Sequence, residues 1–452
     1  MRSLFAVSSD ARLLLDAAAA VTLLIVGISR FKIHAFLALL LASLFVGMVA
    51  GLPATDILSS LQKGFGDVLS FVAIVIGLGA MLGRMLIDSG GADRIALTFI
   101  EKFGIPRIQW AMLLAACVIG IPLFFEVGFV LMVPLALIVA ARAKVPYLKI
   151  GMPLLAGLSA VHGLVPPHPG PVLAIQAFGA DMGKTIVYGL IVAVPAAIIA
   201  GPMFGTLASG WVSARAPAGV EVPGIGAGDS QAPAIGIVLT TLLLPVALMI
   251  SKSVADVTLL QGNSGRTVVD LLGNPIVSLL LAVLLSLRTF GTERGIGSKQ
   301  ILTQIDASLR PIGSIILIIG AGGSFKQMLI ATGIGQAVGH LAMSAHIPII
   351  ILAWVVAATV RIATGSATVA VVTGSGIVAP LVAFYPGVNR ELLVLATGAG
   401  SLMLSHVNDA GFWLVKEYFK LTIAETFKTW TLMECILSVG SLIFISLLSF
   451  IL

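Results

Sequence analysis

Apolar residues run along this chain in unbroken stretches, without the alternation of apolar and polar positions that marks a half-buried strand. Crossing a bilayer core of about 30 Å takes about 20 helical residues, and runs of that length recur from end to end. Their spacing predicts helices near 13–29, 35–51, 68–88, 185–206, 234–251, 271–287, 312–332 and 426–450. Open sheets would leave unpaired backbone in lipid, so the expected fold class is an all-α polytopic membrane protein. Four segments depart from the pattern. Segments 108–141 and 348–384 are too long or too broken for single helices and read as re-entrant hairpins. Segments 150–178 and 391–415 read as broken helices, interrupted by His162-Gly-Leu-Val-Pro-Pro-His168-Pro-Gly-Pro and by Ser405-His-Val-Asn-Asp-Ala-Gly-Phe-Trp413.

These interruptions are paired. Gly77 to Gly90 aligns with Gly320 to Gly333, six identities in fourteen positions at a shift of 243 residues. Nearly the same shift pairs Ile105-Pro106 with Ile347-Pro348 and the break at His168 with the break at His406. Chance likeness between apolar helices would not also align their breaks. The expected organisation is an N-terminal inverted repeat over 1–213, a Gly- and Pro-rich linker at 214–233, and a C-terminal inverted repeat over 234–452. With the hairpins entering and leaving on one side, seventeen of the 26 Lys and Arg fall on one side and seven on the other, Lys326 and Arg361 lying inside spans. The crowded side reads as cytoplasmic, and the two halves then run in opposite orientations.

Composition fits that picture: 58% of the 452 residues are hydrophobic, 10% are charged, and mean hydropathy is +1.11. The net charge of +6 belongs with cytoplasmic loops at a lipid bilayer, not with nucleic acid. Cys117 and Cys435 lie in apolar runs with no disulfide or metal spacing, and no cofactor is expected.

Ionisable groups in such a setting lose hydration that lipid cannot replace, so they face a cavity, a partner or a substrate. Glu126 is a lone carboxylate near the tip of the first hairpin and reads as a buried proton carrier, against the plain alternative of a helix cap. The second hairpin carries Arg361 before Thr364, Ser366 and Thr368. An intramembrane guanidinium suits a carboxylate, and hydroxyls among glycines offer donors to an anion. Tight helix packing would also select small residues. His162 and His168 flank the proline-rich break, where a simple kink is the plain reading. They stand six positions apart with no third ligand, so a zinc site is not expected. Ser405, His406, Asn408 and Asp409 can hydrogen-bond several hydroxyls of a polyol or sugar acid, though a surface loop would carry the same residues. Glu126, Asp409, His162 or His406 could take a coupling proton, and spacing does not rank them.

On these motifs, with Phe124-Phe125-Glu126-Val127-Gly128 and Ala363-Thr-Gly-Ser-Ala-Thr368, the chain resembles the gluconate permease family of proton symporters, within the wider ion-transporter superfamily. The resemblance covers essentially the whole chain except the stretch to Asp10 and the linker. It implies proton-driven uptake of gluconate or a related small hydroxy acid by a multi-pass protein of the bacterial inner membrane. Relatives carrying idonate, fructuronate, glycerate or D-serine are similar in appearance, so the acid stays open. A homo-oligomer stays open too. A sodium-coupled carboxylate carrier is the nearest alternative reading. An intramembrane enzyme is weaker, since no nucleophile elbow or metal spacing is present.

Overall fold

The computed structural model describes residues 9–212, 232–258, 264–334, 337 and 347–452. Among them all regular structure is helical, and eight helices are long and apolar enough to cross a membrane. The protein is an all-α polytopic membrane protein. The expected helices are present as α1 (Ser9–Ser29), α2 (Ala35–Val49), α3 (Ala54–Asp88), α9 (Met182–Ile198), α11 (Ile235–Thr258), α13 (Pro275–Ser286) and α15 (Gly313–Ala331), the apolar parts of α1 and α2 being shorter than a span. Helix α3 begins well before the expected position 68, because its first turns are amphipathic and escape a hydropathy reading. Helix α9 runs through a π turn, Ile199–Met203, into α10 (Phe204–Trp211). Three amphipathic helices were not anticipated: α4 (Gly91–Phe103), α12 (Ser264–Leu272) and α14 (Ser298–Leu309). Their charged faces lower mean hydropathy while one apolar stripe still packs. Helix α4 meets the next helix at 112°, so the chain turns sharply there before re-entering the apolar layer.

All four interrupted segments are interrupted where the sequence placed the breaks. The first parts into α5 (Ile108–Gly120) and α6 (Phe125–Ala143), and the broken helix after it into α7 (Leu148–Leu164) and α8 (Pro169–Phe178). In the second half the same parts are α16 (Ile349–Thr364) with α17 (Ala367–Val378), then α18 (Arg390–Gly400) with α19 (Ala410–Tyr418). Helix α5 has 13 residues, about 20 Å of rise, too short to span a bilayer core. Helices α16 and α17 pack against each other, whereas α5 and α6 are both seated on α7. The chain closes with α20 (Ile423–Thr426), a π turn at Phe427–Thr431, and α21 (Leu432–Ser449).

Local geometry recurs between the halves. Ser89 ends α3 with its N–H on the carbonyls of Met85 and Ile87, and Thr332 ends α15 with its N–H on those of Met328 and Ile330. The next turn needs positive φ in both places, 71° at Gly90 and 74° at Gly333, which glycine adopts without a Cβ penalty. Helix starts recur as well: Phe124 and Ser366 precede α6 and α17, and His168 and Asp409 precede α8 and α19. Residues 214–231 of the linker and the stretch 1–8 lie outside the described residues.

Candidate functional site

The four breaks meet at a cavity of about 320 Å³. Its wall includes the first residues of α6 (Phe125, Glu126), of α8 (Pro169), of α17 (Ala367, Thr368) and of α19 (Ala410, Gly411). Thus four helix N-termini face one space. At α6, α17 and α19 first-turn N–H groups lack intrahelical partners, whereas α8 opens Pro169-Gly170-Pro171 and has only the Gly170 N–H to offer; all four ends carry a partial positive charge, so the wall favours an anion before any side chain is counted.

Arg361, in the last turn of α16, is 4% exposed and lines this cavity. Its Nη2 donates to Asp409 Oδ2 at 2.5 Å, while Nε and Nη1 have no hydrogen-bond partner. Nε and Nη1 are thus buried donors left unused, and with the second proton of Nη2 either can complete a pair of parallel bonds to another carboxylate. Asp409 is fixed from several directions. Its Oδ1 accepts from the N–H of Gly411 at 3.0 Å, capping α19, and its Oδ2 also accepts the Ser405 hydroxyl. Gly365 lets this pair form: it sits at φ 75°, and a Cβ there would stand 2.3 Å from the carbonyl oxygen of Asn408.

Of the residues expected to carry chemistry, Glu126, His162, Arg361, Thr364, Ser366, Thr368, Asn408 and Asp409 line the cavity together. Glu126 differs from expectation in being exposed rather than buried, because the tip of α6 opens onto the cavity mouth instead of packing into the protein. Thr364 donates to Val360 O at 2.8 Å, and Ser366 caps α17 by accepting from Val369 N at 3.3 Å. His162 is half-buried, and its Nδ1 has no hydrogen-bond partner.

His168, Ser405 and His406 lie outside the lining. Buried His168 donates through Nε2 to the carbonyl of Gly120 at 2.6 Å, and His406 donates through Nε2 to that of Ile362 at 3.0 Å. Both acceptors belong to the last turn of the helix that opens a hairpin, where carbonyls lack intrahelical donors. Asn408 adds a second bond to Ile362 O, at 2.9 Å. Ser405 binds the C-terminal helix instead, accepting from Trp430 Nε1 at 2.6 Å, while its carbonyl accepts the Thr431 hydroxyl at 2.5 Å.

That helix is the part of the site that the interruptions did not reveal. Trp430, in the π turn, and Glu434 both line the cavity, and Glu434 is 1% exposed with Ser159 of α7 beside it. A lone carboxylate in an apolar run was as visible at 434 as at 126. The helix around it is continuous, so it lacked the second signal of a break. The described residues hold no group of three or more metal-ligating side chains.

Residues 12–451 match the family described as GntP family permease. A protein named gluconate permease from Pseudomonas aeruginosa is 58% identical over 450 residues, covering 99% of this chain and all of that one. A high-affinity gluconate transporter from Escherichia coli K12 is 44% identical, covering 94% of this chain and 96% of its own. The fold is similar to that of the YdaH transporter of Alcanivorax borkumensis, at a TM-score of 0.65 and 14% identity, over 92% of this chain and 98% of the other. The protein is accordingly a membrane transporter and not an enzyme, and it belongs to the GntP family of permeases.

Proposed function

We propose that the protein takes up gluconate, or a closely related small hydroxy acid, together with protons across the bacterial inner membrane. The observation that carries this reading is the meeting of four helix N-termini with the unused donors of Arg361 at one cavity. A carboxylate would bind there in bidentate fashion, with Ser366, Thr368 and Asn408 in reach of its hydroxyls. A volume of about 320 Å³ is at the small end for ligand sites, in keeping with a small acid. Relatives named for gluconate support that acid as the first choice.

Proton coupling is supported by charge. Glu126, Asp409 and Glu434 share the cavity with a single Arg. An arriving anion repels the carboxylates, so anion and proton bind better together than apart, which is what a symporter needs. The recurrent caps and breaks support two halves, 1–213 and 234–452, inverted about an axis through the cavity, with the Lys- and Arg-rich ends cytoplasmic. Reconstituted protein should accumulate labelled gluconate in vesicles when the outside is acidified, with sodium replaced by choline. Uptake that ignores the pH gradient would end the proton reading. Uptake that needs sodium would replace it with sodium coupling.

A further inference from the structure

We infer that Glu434 is the carboxyl that binds and releases the co-transported proton. The inference rests on the proton-coupled reading above and assigns the proton a place. The three carboxylates of the cavity sit in different surroundings. Asp409 receives donors on both oxygens, from Arg361 and Ser405 on one and from the Gly411 N–H on the other. Protonating it would break the ion pair and strand a buried guanidinium charge. Glu126 is exposed and lies in the first turn of α6, at a helix N-terminus.

Glu434 has neither support. It is 1% exposed, and its Oε1 is buried without a hydrogen-bond partner. The chain is helical without a break from Ile423 through the π turn into α21, so no free N-terminus stands behind it. The Ser159 hydroxyl beside it is a donor to the carboxylate, a single contact where Asp409 has three. The other ionisable groups lining the cavity are Glu126 from α6, His162 from α7, Arg361 from α16 and Asp409 from the last break.

In the cycle, the Glu434 carboxylate gains a proton from water on one side as the acid anion enters beside Arg361. On the other side the proton returns to water and the anion leaves. Loaded and empty carriers then hold the same charge inside, so the two reorientations move equal charge in opposite directions and a complete cycle carries none across the bilayer.

Proteoliposomes with labelled gluconate as the probe test this. A gradient of one pH unit sustains about tenfold accumulation at one proton per anion. Glu434→Gln, which mimics the protonated form, should lower that to about onefold, and counterflow at equal pH, measured alongside, separates lost coupling from lost transport. Tenfold accumulation by the variant overturns the assignment. Wild-type vesicles that ignore the gradient overturn the proton-coupled reading itself, a separate result. If the glutamine variant also loses counterflow, Ser159→Ala decides. Removing the hydroxyl beside Glu434 should displace the pH midpoint of driven uptake, and an unmoved midpoint overturns the assignment.

Discussion

At the break between α7 and α8, His168 donates to the carbonyl of Gly120. At the break between α18 and α19, His406 donates to the carbonyl of Ile362, 242 positions further on. The latch is the same: a histidine from a broken helix closes the last turn of a hairpin's first helix. The chemistry around it is not. The first break is built of Pro166, Pro167 and Pro169 and carries no carboxylate, whereas the second carries Ser405, Asn408 and Asp409 around Arg361. Matching latches thus accompany the scaffold that aims four helix starts at one point. The ion pair lies in the second half alone, with the hydroxyls of Thr364, Ser366 and Thr368, while Glu126, Ser159 and His162 come from the first.

If the asymmetry is real, substitutions in the second half should be the costly ones. Arg361→Ala removes the unused donors and leaves Asp409 without its cation, a loss of about 3–5 kcal/mol for a buried pair. Gluconate binding by calorimetry should become undetectable, and a variant that still binds would move the carboxylate site elsewhere. Next comes Gly365→Ala, which sets a side chain against the Asn408 carbonyl at positive φ. Uptake should fall at least tenfold and the melting temperature in detergent should drop, whereas a silent variant would show that this approach is not needed. The latches themselves should respond alike. His168→Ala and His406→Ala each delete one hydrogen bond, about 1–2 kcal/mol, and should lower the melting temperature by similar amounts with little change in gluconate affinity. An affinity loss confined to His406→Ala would make it a ligand and the parallel a coincidence. The smallest effect is expected from Ser366→Ala, an N-cap worth about 1 kcal/mol, read as a modest destabilisation of the α17 start.

What could be read from the sequence follows from where the physics is local. An apolar run, a proline cluster or a charge inside a span declares itself within a few residues, and so the spans, the breaks, Arg361 and Asp409 were legible. Partnership across the fold was not. Nothing around His406 says that its acceptor is a carbonyl 44 residues earlier, so it read as a substrate ligand. Glu126 read as buried because its neighbours are apolar, while the hairpin tip turns it toward the cavity mouth. Helices α4, α12 and α14 escaped because an amphipathic helix looks like a loop to a hydropathy scan.

The positive wall of the cavity belongs to the main chain. Peptide N–H groups at the starts of α6, α17 and α19 belong to the backbone whatever side chains surround them, so no single side-chain truncation can erase their pull on negative charge. Under the proposed function, retargeting such a carrier would be a matter of altering Thr368 or Asn408, a few atoms beside an unchanging cradle. A protein engineer working there would be choosing among acids, with the taste for acids itself guaranteed by the backbone.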